Sequence, residues 1–351
     1  MSRESDRILY LSGREVEFAL RQIDPVAAVR EALVLQARGE TVLPAESHLA
    51  WTGPLGEHAR SLSMPAYLGN GAGVAGVKVI SANPANVGRG LPRASGIALI
   101  FDPDSGRPLA IMDAARISSL RTAAASAIAA DCLAVPGAER LAIIGAGELG
   151  RAHLDLLTER LPRLGQVRLC DLRVERAAAL AREVAPILDR RRIELRLHRS
   201  AERAMAGAQI VVAVTTATRG YIRLGWLETG ALLLNVSLDD PLPEVIRGAD
   251  RLIVDDWELV RTDARRLLGR LYRHGRLVGP DESVQLSTAE GWPRRVDAEL
   301  GQVLTATRPG RERDDELIVF NPFGLAIEDL CIAGRVLGRA REKQLGVRLE
   351  R

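Results

Sequence analysis

The run Leu141 to Gly150, LAIIGAGELG, constrains this chain more than any other stretch. An apolar, strand-like segment passes straight into Gly-x-Gly-x-x-Gly, and the helix formers of ELGRAHLDLLTERL follow at once. Gly145 permits a tight turn, Gly147 lets a backbone approach a pyrophosphate, and Gly150 allows close helix packing. The helix N-terminus adds amide donors and the positive end of a dipole. Asp171 stands twenty-one residues beyond Gly150, at the end of the next apolar run, QVRLCDL. A carboxylate there accepts hydrogen bonds from the hydroxyls of an adenosine ribose. The bland alternative is a strand-to-helix turn with an incidental Asp. The combination instead predicts a dinucleotide loop formed by Gly145, Ala146, Gly147, Glu148, Leu149 and Gly150. Asp171 favours NAD over NADP by repelling a 2'-phosphate, an effect that Arg173 and Arg176 would partly offset.

From Leu141 to about Asp255, short apolar runs alternate with amphipathic stretches, which predicts a doubly wound α/β domain of the Rossmann type. Residues 1 to 115 differ, with Gly- and Pro-rich turns between runs such as GVKVIS and GIALIF, and DPDSG reads as a hairpin loop. That segment is expected to form a mostly antiparallel α+β domain. RISSLRTAAASAIAADCLA is rich in helix formers and would carry the chain into the nucleotide domain. After the break TRPGRERDDE, a strand, a turn and a long helix form a tail too short to stand alone. The expected division is 1–120 with 318–351 for one domain and 121–317 for the other.

At 351 residues the chain has material for two such domains. Its 47% hydrophobic and 26% charged residues are ordinary for a soluble globular protein and indicate neither disorder nor a membrane protein. The net charge of +3 is small, and Arg is interleaved with Asp and Glu, as on solvated helix faces, so no nucleic-acid partner is expected. Cys132, Cys170 and Cys331 lack metal-type spacing and read as core residues in a reducing compartment. No metal site is expected. The charged N-terminus has no secretory pattern, and no apolar run approaches the roughly 20 residues of a membrane span, so a cytoplasmic location is expected.

Three further clusters carry chemistry. In GVKVISANPANVGRGLPRAS, Lys78 follows an apolar run and points either into a cleft or to the surface, with Arg89 and Arg93 nearby in sequence. Arg121 sits on a helix of small residues, where a cation needs a bound anion, an internal acid or water. LLLNVSLDDPLPEVI ends an apolar strand with Asn235, Ser237, Asp239 and Asp240. The carboxyl ends of strands border the ligand crevice of such sheets, so Asp240 is placed to handle protons, while one Asp of the pair would cap the following turn. Thr215 and Thr216 of VTTATRG would line the nicotinamide side or serve as turn residues.

Taken together, these blocks resemble the ornithine cyclodeaminase/μ-crystallin family across essentially the whole chain. The resemblance rests on GVKVISANPANVGRGLPRAS, DPDSGRPLAIMDAARISSLRTAAASAIAA, IIGAGELGRAHL, NVSLDDPLPEVI and VFNPFGLAIEDL. HARSLSMPAYLG and LPRAS look most like the branch of dehydrogenases that makes 2,3-diaminopropionate for siderophores and peptide antibiotics. The resemblance implies that the first domain binds substrate and pairs subunits into a homodimer. It implies that Lys78 and Arg121 contact a substrate carboxylate, that Asp240 is the acid/base with Lys78 beside it in catalysis, and that Arg93 reaches cofactor phosphate or substrate. Arg121, Thr122, Thr215, Thr216 and Ser237 would add cofactor contacts, and Asp239 a substrate contact. Two positions depart from the branch, which carries basic residues where this chain has Ala50 and Asp239. The implied reaction is NAD-dependent oxidation at the C–N bond of an amino acid or N-substituted amino acid, and the branch resemblance implies N-(2-amino-2-carboxyethyl)-glutamate as substrate. The alternatives are a cyclodeaminase, a cyclic ketimine reductase, or a nucleotide-dependent binding protein for a small ligand.

Overall fold

The computed structural model describes residues 7–54, 56–69, 71, 73–283 and 292–350. Asn70 and Ala72 of the glycine-rich turn, and the first six residues of the N-terminus, lie outside them. In chain order the first elements are β1 (Arg7–Leu11), α1 (Gly13–Leu20), α2 (Pro25–Ala37), β2 (Thr41–Val42), β3 (Ser47–Thr52), β4 (His58–Leu68), β5 (Val74–Ala82), β6 (Ala94–Phe101), β7 (Pro108–Asp113) and α3 (Ala115–Leu133). The middle of the chain forms β8 (Arg140–Ile144), α4 (Glu148–Arg160), β9 (Gln166–Cys170), α5 (Val174–Arg190), β10 (Glu194–His198), α6 (Ala201–Met205), β11 (Ile210–Ala213), β12 (Leu232–Asn235), α7 (Pro243–Gly248), β13 (Arg251–Val254), α8 (Trp257–Thr262) and α9 (Leu267–Arg273). The last are β14 (Leu277–Val278), β15 (Arg294–Arg295), β16 (Ala298–Glu299), α10 (Leu300–Leu304), β17 (Ile318–Asn321), α11 (Ala326–Glu342) and β18 (Val347–Glu350).

These elements form two compact units, one running to Arg121 and resuming at Gly324, the other Thr122–Phe323. The first unit holds a sheet of order β18-β1-β7-β6-β5-β4-β2, with β3 also on β4, antiparallel except where β1 meets β7. Directly paired residues share a face, so the register sorts the side chains. One face carries Met64, Lys78, Ala98, Met112 and Leu11, all buried, with α11 packed on β4, β5 and β6. The other exposes Tyr10, Leu49, Trp51, Tyr67, Ile97, Val347 and Leu349. At the β6–β7 hairpin the amide of Asp102 donates to the carbonyl of Arg107 at 2.8 Å, around the DPDSG loop.

The second unit is an all-parallel sheet of order β10-β9-β8-β11-β12-β17-β13-β16. Strand order reverses between β8 and β11, which opens a crevice at their carboxyl ends. Central strands β11, β12 and β17 are buried along their whole length, as parallel strands covered on both faces must be. One expectation is corrected here. IVFN, read as part of the tail that returns to the first domain, is β17 and lies between β12 and β13, so the chain leaves this sheet only at Phe323. All four of its residues are buried, as an interior strand of a parallel sheet requires and a half-exposed antiparallel edge does not. Among the described residues no helix is long and apolar enough to cross a membrane, and no group of His, Cys, Asp or Glu is arranged to hold a metal ion.

Candidate active site

The glycine turn between β8 and α4 uses each of its glycines differently. Gly145 has φ +114°, and a Cβ there would sit 2.5 Å from the carbonyl oxygen of Val214. A Cβ on Gly150 would meet the Gly145 carbonyl oxygen at 2.0 Å, so α4 can start this close to β8 only with glycine. Gly147 has nothing within 4 Å of its missing Cβ. It is the N-cap of α4 and supplies no side chain to the amides of Glu148, Leu149 and Gly150. Open space in front of uncapped amides fits an anion such as a pyrophosphate. Asp171 ties the turn to the next loop, accepting from the Ala146 amide at 2.8 Å and from the Arg173 amide at 2.8 Å. Each carboxylate oxygen retains a second lone pair for a ribose hydroxyl. Leu172, fully exposed beside it, is an apolar surface that the motif did not announce.

Behind this turn, α3 and α4 are joined by a polar contact that sequence reasoning missed. His153 is buried, with Nδ1 at 2.7 Å from the Leu149 carbonyl and Nε2 at 2.9 Å from the Ser126 hydroxyl. The carbonyl can only accept, so Nδ1 carries the proton and Ser126 donates to Nε2. Burial pushes the imidazole down to about 4, against a weaker raising effect of the Leu149 carbonyl. It is therefore a neutral structural residue.

At the ends of β11 and β12, hydroxyls lock the backbone. Ser237 donates from Oγ to the Ala213 carbonyl at 2.8 Å and accepts from the Thr215 amide at 2.6 Å. Thr215 in turn donates from its hydroxyl to Oδ1 of Asp240. Thr216 is exposed next to it. Leu238 turns the chain with φ +72°, a left-handed conformation costly for a branched side chain, and this separates two adjacent carboxylates. Asp240 is fully buried, and its Oδ2 has no donor in hydrogen-bonding range among the described residues. Burial raises its carboxyl above the ordinary value; the hydroxyls of Ser237, Thr215 and Tyr221 pull it back, and Asp239 adds a smaller upward push. Burial also raises the neighbouring Tyr221 hydroxyl.

Asp239 serves a different end. Its Oδ1 accepts from the Leu267 amide at 3.0 Å and from Arg270 at 3.0 Å, and its Oδ2 from Arg266 at 2.8 Å. Asp239, for which a substrate contact is expected, is engaged in a clamp on α9, since these partners lie on that helix or just before it. Of the two aspartates, only Asp240 keeps an oxygen without a partner.

In the first unit, Lys78 is 1% exposed, and its ammonium donates to Oδ2 of Asp329 at 2.5 Å and to the Ser118 hydroxyl at 3.3 Å. Arg121 reaches Glu328 through NH1 at 3.0 Å and Asp329 through Nε at 3.3 Å. The internal acids anticipated for Arg121 are thus two neighbours on the first turn of α11. Burial lowers the Lys78 ammonium, Asp329 opposes this, and Arg121 reinforces it. Of its three ammonium protons, one has no acceptor among the described residues and can meet a ligand. Glu328 and Asp329 were visible in LAIEDL as two acids inside an apolar helix. Buried charges require partners, and that was the available signal. Arg93 is exposed just before β6, its carbonyl accepting from the Asn83 amide at 2.9 Å, and Thr122 is half-buried on α3.

Comparison with known proteins finds relatives over nearly the whole chain. N-((2S)-2-amino-2-carboxyethyl)-L-glutamate dehydrogenase of Staphylococcus aureus is 33% identical over 99% of each chain. The crystal structure of CmnK superposes with a TM-score of 0.88 at 34% identity, covering 98% of each chain. Delta(1)-pyrroline-2-carboxylate reductase of Thermococcus litoralis, solved with NADH and L-proline, gives a TM-score of 0.83 at 26% identity over 97% of this chain and all of the other. Residues 9–344 match the ornithine cyclodeaminase/mu-crystallin family, and the chain is a member of it.

Proposed function

We propose that the chain is an NAD-dependent oxidoreductase acting on the C–N bond of an N-substituted amino acid, with N-(2-amino-2-carboxyethyl)-glutamate as substrate. The observation that carries this reading is Asp240, a buried carboxylate with one unpartnered oxygen at the carboxyl end of a parallel strand, raised toward the pH at which it exchanges protons. NAD, bound through Gly147, the first amides of α4 and Asp171, would accept a hydride from Cα. Lys78 and Arg121 hold and orient the substrate carboxylate. Asp240 takes a proton from the water that adds to the resulting substrate iminium and returns it to the departing amine. The balance is substrate, NAD and water giving 2,3-diaminopropionate, 2-oxoglutarate, NADH and a proton.

The exposed Tyr10, Tyr67, Ile97, Val347 and Leu349 on one sheet face support pairing with a second copy, since a patch of this kind on a monomer would be left in water. Dependence on NAD and three free cysteines support a cytoplasmic location. The deciding experiment follows NADH with the precursor while measuring 2-oxoglutarate and ammonia. NADH with 2-oxoglutarate supports the proposal. Ammonia with a cyclic product and no net NADH would identify a cyclodeaminase, and NADH consumption by a cyclic imine a reductase.

A further inference from the structure

Beside the carboxyl ends of the parallel strands, two buried oxygens have no hydrogen-bond partner among the described residues: Oδ2 of Asp240 and the hydroxyl of Tyr221. They share one corner of the second unit. The loop after β11 returns along the residues that follow β12, where the amides of Tyr221 and Ile222 both donate to the Asp240 carbonyl, at 2.7 and 2.9 Å, and the Leu242 amide donates to the Ile222 carbonyl at 2.9 Å. Ile222 pairs with Pro241 in a parallel bridge. A Cβ on Gly220 would lie 2.7 Å from the Pro241 carbonyl oxygen, so the two segments come this close only with glycine there. The backbone thus fixes where Tyr221 starts, and its ring packs against the apolar core of the unit. The phenol ends beside the carboxyl of Asp240 and the hydroxyl of Thr215, yet it bonds to neither. Thr215 gives its own proton to Oδ1 of Asp240. Buried polar atoms are almost always paired, so two unpaired ones side by side are explained by one small molecule that satisfies both. An ionised carboxylate only accepts, and a phenolic oxygen can accept as well as donate. Water, with two protons, suits the pair.

We propose that Tyr221 is a positioning residue which, together with Oδ2 of Asp240, holds the water that adds to the substrate iminium. This rests on the reading that the reaction passes through an iminium, and it names what fixes the nucleophile. The water donates one proton to Oδ2 and the other to the phenolic oxygen, which leaves a lone pair for the iminium carbon. As the C–O bond forms, the first proton passes to Asp240 and the π pair of the C=N bond moves to nitrogen. Tyr221 keeps its own proton throughout, because burial raises its hydroxyl above the ordinary value.

A crystal structure of the NAD-loaded protein, at a resolution that shows waters, should place one within about 3.2 Å of both Tyr221 Oη and Asp240 Oδ2. No water there, or a direct bond between the two side chains, overturns the proposal. In rapid mixing with the diaminopropionate precursor, Tyr221→Phe should form the first NADH at the wild-type rate and release 2-oxoglutarate about 10- to 100-fold more slowly, the effect of losing one hydrogen bond to a group that gains charge. NAD affinity and melting temperature should not move. Unchanged release, equal slowing of both products, or a lowered melting temperature makes Tyr221 a residue of the fold and also overturns the proposal. If neither protein forms NADH from the precursor, the assigned reaction fails, while the position of the water in the crystal still decides the role of Tyr221.

Discussion

Lys78 and Asp329 form an ion pair that spans 251 positions of the chain, lies out of solvent on both sides, and is shared by a second cation, Arg121. Sharing makes the partners unequal. Asp329→Asn removes the negative charge from two cations at once, whereas Lys78→Met leaves Asp329 facing Arg121. Losing one member of a buried pair costs about 3–5 kcal/mol. Asp329→Asn should therefore lower unfolding stability by that amount, and Lys78→Met by clearly less, as read from urea midpoints. Equal losses would show that Arg121 does not compensate.

The two aspartates should separate stability from rate. Asp240→Asn is expected to reduce kcat by about 10²- to 10⁴-fold with NAD affinity unchanged. Asp239→Asn should lower the melting temperature, through looser anchoring of α9, with a much smaller effect on kcat. In the oxidative direction Asp240 must be ionised, and its carboxyl is raised, so kcat should fall with decreasing pH at a point above the usual carboxylate range. Thr215→Val removes a hydroxyl that favours the ionised form, which should move that limb to still higher pH. A pH–rate profile for each variant checks the order.

Within the glycine turn, two alanine substitutions should fail in different ways. Gly150→Ala drives a Cβ to 2.0 Å from a backbone oxygen and should unfold or displace α4. Gly147→Ala meets no protein atom and should leave the melting temperature intact while weakening NAD binding. Fluorescence titration alongside thermal melts distinguishes them.

His153 predicts how stability follows pH. Its imidazole is held near 4 in the folded protein against 6.5 when unfolded, so between those values the unfolded chain binds the extra proton. The contribution is fully present above 6.5, declines as pH falls, and is lost at about 4, to a total of roughly 3 kcal/mol. Urea unfolding of wild type and His153→Gln at pH 7.5 and 4.5 measures it. The wild type should lose more on acidification than the variant.

What could be seen from sequence was what is local. Gly145, Gly147, Gly150 and Asp171 announce themselves because strand, turn and helix are contiguous, and Asp240 because it ends an apolar run. The side chains facing Lys78 could not be found that way, since Asp329 is brought to it only by folding. β17 was assigned to the wrong unit for the same reason: it adjoins α11 in sequence, while its pairing with β12 and β13 is long-range. The clamp on Asp239 depends on Arg266 and Arg270, in a stretch whose charges read as solvated surface.

Because the first unit is closed by α11 and β18, its assembly has a timetable. On the ribosome, β1 to β7 emerge early, but the helix that covers their apolar face and the strand that pairs with β1 follow only after the intervening unit, Thr122–Phe323, about 200 residues later. At 5–20 residues per second that is a delay of roughly 10 to 40 seconds. Throughout it the parallel sheet too waits for β17, the last of its strands to emerge, while Lys78 has no counter-ion and the surface meant for α11 stays uncovered. Nascent chains stalled before Gly324 should accordingly be the form that chaperones hold and that aggregates first.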